Sequence, residues 1–217
     1  MIKVEMIDYM GSDLTVVNSA RVSFSKVSNF QENGLLSSTD SKLINYLAKH
    51  KHFTPFTHPQ ITLRETVPIF VARQRFKHVV GFTYNEISRR YVSDTPSLHI
   101  PEHFRSAAAN VKQGSAGMHP KSDHWLEHYK DVVNLCVARY EHMIADGVCP
   151  EQARMVLPQS MMTSYYVTGS LAAFARLYNQ RSDSHAQQEI QDLAQQIAEI
   201  IAPLYPISWA ALTKGEY

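Results

Sequence analysis

The chain has 217 residues, 44% of them hydrophobic, enough to bury a sizeable core in a single domain spanning residues 1–217. Lys and Arg total 21 against 20 for Asp and Glu, and this balance argues against a sequence-independent nucleic-acid binder, which carries a strong basic excess. The two cysteines, Cys136 and Cys149, form no CxxC pair. The start MIKVEMIDYMGSD is unlike a leader and no apolar run approaches about 18 residues, so a soluble, cytoplasmic protein without a membrane partner is expected.

In chain order, Ile2–Ile7 alternates as a strand, and Asp13 is placed to cap a helix running to Arg21. Ser25–Ser38 reads as a polar, mobile loop. Leu43, Ile44, Leu47 and Ala48 recur at helical spacing between Thr39 and His50, before Pro55. Gln60–Val67 reads as a strand, and Pro68 suits the first position of a helix carrying Ile69, Phe70, Ala72 and Arg73. Gly81 ends that helix, and a further strand is expected around Ser88–Val92. Ser106–Ser122 lacks periodicity and reads as a flexible loop. A long amphipathic helix then places Trp125, Tyr129, Val132, Val133, Cys136, Tyr140 and Met143 on a core-facing stripe. Pro150–Val156 makes a short helix closed by Pro158, Met161–Thr168 a strand, and Leu171–Gln180 and Ala186–Ile201 two more helices. The fold class is α+β, a small antiparallel sheet packed with several helices.

The stretch RQRFKHVVGFTYNEISRRY, from Arg73 to Tyr91, sets Arg73, Arg75, Lys77, Arg89 and Arg90 against the single acid Glu86. Concentrated positive charge interleaved with Gln, Asn and Ser suits a phosphate-bearing ligand with polar edges; the plain alternative is a solvated basic face. HKHFTPFTH holds His50, His52, Thr54 and His58, but no acid or Cys stands nearby at a metal-ligand spacing, so hydrogen bonding is expected rather than a metal. In PEQARMVLP, Arg154 on an apolar turn needs a buried partner, either a structural carboxylate or a ligand phosphate. In YNQRSDSHAQQEI, Asp183 or Ser184 would cap the next helix. That leaves Arg181 at a helix N-terminus, where an anion would offset the dipole. ARVSF offers Ser23. Neither Cys149 nor Ser88 has the context of a nucleophile, and no glycine-rich phosphate loop is present.

The blocks ARVSF, HKHFTPFTH, FVARQ, NEISRRY, PEQARMVLP and RSDSHAQQEI, in this order, resemble the flavin-dependent thymidylate synthases over nearly the whole chain. The resemblance implies a methyltransferase that converts dUMP to dTMP. Its cofactor would be FAD, its carbon donor methylenetetrahydrofolate and its reductant NADPH, in a homotetramer whose active sites are shared between subunits. It implies that Gln74, Ser88, Arg90 and Arg154 hold the phosphate and sugar of dUMP. Glu86 and Arg89 would make further contacts with the nucleotide. Arg181 would engage the uracil edge as the catalytic cation, stabilising negative charge that develops on the ring. No enzyme thiol is then needed.

For FAD the resemblance implies Ser23, Thr54, Lys77, His78, Asn85, Glu86, Ser170, Arg176 and His185. The chain departs from the family here: Arg-His-Arg is replaced by Lys77-His78-Val79, with one residue inserted before Asn85, and Ala172 stands at a usual arginine. A slide by one residue would instead set His78-Val79-Val80 in that place. Loss of a charge-assisted contact costs about 1.5–3 kcal/mol, so weaker or repositioned FAD is expected with nucleotide binding retained. The departure also leaves two alternatives: another folate- and flavin-linked C5 modification such as hydroxymethylation, or nucleotide binding without turnover.

Overall fold

The computed structural model describes residues 1–109 and 114–213. Its main sheet is antiparallel, with strands β1 (Lys3–Met10), β2 (Gln60–Pro68), β6 (Met162–Ser170) and β3 (Phe82–Glu86) in the order β1-β2-β6-β3. Helices α1 (Asp13–Arg21), α2 (Ser38–Lys49), α3 (Ile69–Arg75), α6 (Leu171–Arg181), α7 (Gln188–Ile201) and α8 (Pro206–Thr213) surround it. A hairpin of β4 (Arg105–Ala107) and β5 (Ser115–Met118) precedes the long helix α4 (Ser122–Ala145), which leads into the short α5 (Pro150–Ala153).

Strand alternation explains the core. On β2, Ile61, Leu63, Glu65 and Val67 point to one face and are all fully buried. Three are apolar; Glu65 is not, and its carboxylate must be matched there. Arg75, at the end of α3 and equally buried, donates Nε to both Glu65 oxygens (3.2 and 3.0 Å) and Nη2 to Oε1 (3.1 Å). Tyr165 on β6 donates to Glu65 Oε2 (2.6 Å), and Arg75 Nη1 donates to the Tyr84 hydroxyl (2.5 Å). The guanidinium also lies over the Phe82 ring, 4.4 Å from its centroid. Burial works most strongly against the charge on Arg75, yet Glu65, with Tyr165 and Tyr84, more than offsets it and the pKa is raised. Burial pushes Tyr84 up to about 12 and Tyr165 well above its ordinary value, so both hydroxyls stay protonated as donors.

Several elements differ from the sequence pattern. Asp13 does not cap α1; Ser12 is the N-cap. The Asp13 carboxylate instead accepts from the Ile207 and Ser208 amides (both 2.9 Å), tying the chain's start to α8. α8 itself goes unannounced, because PISWAALT is apolar nearly throughout and shows no helical stripe. Pro68 ends β2 and caps α3 rather than opening it. The strand expected at Ser88–Val92 lies earlier, at Phe82–Glu86, where it pairs with Tyr165–Gly169; Ser88 begins a turn closed by Tyr91 N–H to Ser88 O (3.0 Å). Ser106–Ser122 is not wholly loop, since it contributes to the β4–β5 hairpin; residues 110–113 of it lie outside the described residues. On α4, Val133 and Tyr140 are buried, but Trp125, Val132 and Leu135 are at least half exposed in the single chain, and Cys136 is only partly buried. α7 starts at Gln188 with Gln187 as N-cap, so neither Asp183 nor Ser184 caps it. Asp183 accepts instead from His185, through its backbone N–H and ring (both 2.8 Å).

Candidate active site

α3 divides the candidate site. Residues 69, 72, 73 and 76 share one helical face, and Gln74 lies on another. Ile69, Ala72, Arg73 and Phe76 line a cavity of ≈ 880 Å³ together with Glu86, Ser88, Arg89, Arg90 and Arg154. Gln74 lines a second cavity of ≈ 460 Å³ with Arg105, Arg181, His185 and Gln187. The nucleotide residues expected from sequence are thus drawn into two groups within one chain.

In the first cavity, β3 delivers Glu86, and the turn after it delivers Ser88, Arg89 and Arg90. The turn between α5 and β6 delivers Arg154. Glu86 accepts from Thr163 Oγ1 (2.7 Å), which fixes its carboxylate against β6. Arg89 pairs with Asp94 (3.3 Å). Arg90 is exposed, donates Nε to Ser88 Oγ at 3.4 Å and stacks 5.0 Å from the Tyr91 ring. Among the described residues Arg154 has no buried partner: it is exposed and its side chain donates to the Glu151 carbonyl alone (3.2 Å). Among the described residues no carboxylate pairs with Arg73, Arg90 or Arg154. Three uncompensated guanidiniums beside a serine hydroxyl form a place for a multiply charged anion. Arg75, grouped with these arginines in sequence, belongs to the core pair with Glu65 instead.

In the second cavity, Arg181 at the end of α6 donates Nε to His78 Nε2 (2.9 Å). His78 is buried; burial, then Arg181, Arg75 and Arg176, lower its pKa to about 4. The ring is therefore neutral near pH 7 and accepts through Nε2, which places its proton on Nδ1. The buried core reaches this residue too, because the Tyr84 hydroxyl donates to the His78 backbone carbonyl (2.7 Å).

The residues expected around FAD divide by commitment. Ser23, Thr54, Lys77 and Asn85 are exposed, and their side chains have no hydrogen-bond partner among the described residues. Ser170 is buried and its hydroxyl accepts from the Ala173 amide (3.2 Å) as the α6 cap. Arg176 donates to the Val80 carbonyl, and His185 holds Asp183. His50 and His52 pack around the Tyr46 ring, with centroids 4.3 and 6.1 Å away. Residues that sequence reasoning missed here are Arg105 and Glu189. Arg105 immediately precedes the segment read as loop, in a stretch given no element, and Glu189 is an acid buried on an otherwise apolar helix face. Among the described residues no helix is long and apolar enough to cross a membrane.

Comparison with known proteins identifies the family and the fold. A family model described as thymidylate synthase complementing protein matches residues 5–207. A flavin-dependent thymidylate synthase of Thermotoga neapolitana is 36% identical over 214 residues, covering 99% of this chain and 92% of that protein. One from Thermus thermophilus is 35% identical over 208 residues, covering 96% and 74%. Among solved structures, the UMP/dUMP methylase PolB from Streptomyces cacaoi, bound with 5-Br dUMP, superposes with a TM-score of 0.87 at 26% identity, covering 99% of this chain and 95% of that one. With its sheet, its helices and its arginine-rich turn after β3, this chain belongs to the flavin-dependent thymidylate synthase family.

Proposed function

We propose that the protein converts dUMP to dTMP by reductive methylation at C5, with methylenetetrahydrofolate as carbon donor and NADPH as the source of reducing equivalents. The observation that carries this reading is the set of guanidiniums without a carboxylate partner among the described residues, Arg73, Arg90 and Arg154, grouped with Ser88 around one cavity. Arg90, Arg154 and Ser88 bind the nucleotide phosphate by charge-assisted hydrogen bonds. Arg181, steadied by neutral His78, offers its remaining N–H groups to the uracil edge and stabilises the negative charge that makes C5 nucleophilic. Gln74 holds the nucleotide beside it.

Ser23, Thr54, Lys77 and Asn85 suit FAD: hydroxyls, an amide and an ammonium, exposed and uncommitted, match the phosphates and ring carbonyls of a flavin. Glu86, His78, Ser170, Arg176 and His185 complete the set from more fixed positions. Bound FAD supplies the hydride for the reduction. The catalytic unit is one domain in a homotetramer, in which the first cavity of one copy meets the second cavity of another and brings Ser88, Arg90 and Arg154 to Gln74 and Arg181.

The altered Lys77-His78-Val79 and Ala172 favour a second reading, in which the same site places a different one-carbon unit, such as hydroxymethyl, on C5. Incubation with dUMP, methylenetetrahydrofolate, FAD and NADPH, read by mass spectrometry, separates the two. A product heavier than dUMP by one methylene is expected; a hydroxymethyl product supports the second reading, and absence of dTMP contradicts the first. UMP run in parallel tests whether the sugar is discriminated, since PolB is a methylase of both nucleotides.

A further inference from the structure

We infer that Arg105 and Glu189 are positioning residues which set, through Gln187, the end of the Gln74 amide that faces the second cavity. The inference rests on the dUMP reading above. Four side chains form one continuous line. Gln74 Nε2 donates to Gln187 Oε1 (2.5 Å), and Gln187 Nε2 donates to Glu189 Oε2 (2.8 Å). Arg105 Nη2 donates to both Glu189 oxygens (2.8 and 3.0 Å), while Arg105 Nε donates to Ser115 Oγ on β5 (2.8 Å). Glu189 is buried, and its partner Arg105 is largely covered.

The direction of the line follows from what each group can do. Arginine has no acceptor, and an ionised carboxylate has no donor. Glu189 sits between Arg105 and Gln187 and can only accept from both. Gln187 must therefore turn its NH2 toward Glu189 and its oxygen toward Gln74, and Gln74 must answer with its own NH2. An isolated glutamine amide is free to flip end for end; here a clamped carboxylate two residues removed decides the matter. Among the described residues the carbonyl oxygen of Gln74 is left uncommitted, so the nucleotide has to offer it a donor, the imide N–H or a sugar hydroxyl. Arg181, on the same cavity, offers only donors. The hairpin β4–β5, remote from Gln74 in sequence, is thereby mechanically tied to the pyrimidine site.

Glu189→Gln tests this with an isostere. Arg105 still demands an acceptor, so the new amide turns its oxygen to Arg105 and its NH2 to Gln187. Each amide along the line then reverses, and Gln74 presents NH2 where it presented oxygen. Calorimetric titration with dUMP is expected to show affinity reduced about tenfold in Glu189→Gln, with thermal unfolding monitored on the same samples. Gln74→Ala is expected to lose a similar amount, and Glu189→Gln added to Gln74→Ala to lose nothing more, because the acid acts only through that amide. Should Glu189→Gln fold poorly, Arg105→Met loosens the same clamp and is expected to show a smaller loss, again absent without Gln74. Full additivity, or undiminished affinity in a folded Glu189→Gln, overturns the inference alone. Wild-type protein that fails to bind dUMP contradicts instead the reading on which it rests.

Discussion

Arg75 and Arg90 stand fifteen positions apart in one basic stretch and serve opposite ends. Arg75 is fully buried, with a carboxylate on one side, a tyrosine hydroxyl on another and an aromatic ring beneath it. Arg90, like Arg154, is exposed to a cavity and lacks a carboxylate among the described residues. A charge matched group for group inside the protein is part of the scaffold; a charge left unmatched at a solvent-filled cavity is available to a ligand. The contrast generates opposite expectations for stability and for binding.

The largest effect is expected on the scaffold side. Glu65→Ala leaves the Arg75 guanidinium buried without its counter-charge and should destabilise the fold by about 3–5 kcal/mol, read by urea unfolding. A loss below about 1 kcal/mol would mean the pair is not the internal clamp described. On the ligand side, Arg90→Ala and Arg154→Ala should leave unfolding within about 0.5 kcal/mol of wild type while weakening dUMP binding about ten- to hundredfold. Loss of stability without loss of affinity would reverse the assignment.

His78 lies between the core pair and Arg181 of the second cavity, and it sharpens the boundary between scaffold and site. Its folded pKa is about 4 against an ordinary 6.5. Between those values the unfolded chain binds a proton that the folded chain refuses. The stability held above about pH 6.5 therefore falls as pH drops and is fully lost by about pH 4, amounting to about 1–3 kcal/mol. Denaturant unfolding across that window should show the decline, and His78→Gln should flatten it; an equal slope in the variant would contradict a neutral buried ring. A smaller effect is expected at Gly81, whose φ of +80° lies in the left-handed region and where an added Cβ would meet Ala173 Cβ at 3.0 Å. Gly81→Ala should cost about 1–2 kcal/mol through strain at the turn into β3.

Much of the architecture was legible because periodicity follows burial. β2, β6, α2, α6 and α7 all lie within two residues of their sequence patterns. The misses have physical reasons. α8 is covered broadly enough to hide its period, and the stripe on α4 reads as core although the single chain leaves its Trp125 and Val132 open. The structural role of Arg75 could have been read from ITLRETV, where strict alternation puts Glu65 on the face of Ile61, Leu63 and Val67 and so demands a buried cation. At the site, the arginines and Ser88 were legible as chemistry but not as geometry. Arg73 and Gln74 are adjacent in sequence, yet the turn of α3 sends them to different cavities. No pattern in one chain states how two copies would bring those cavities together.

That junction is the centre of the account, and complementation between two inactive variants tests it most directly. Arg154→Ala disables the first cavity and Arg181→Ala the second. Each alone should form no appreciable dTMP, whereas their co-expressed mixture should recover up to about a quarter of wild-type turnover, the share of random pairings that join two intact halves. A mixture as inactive as either parent, in protein shown to be co-assembled, would contradict a site built from two copies.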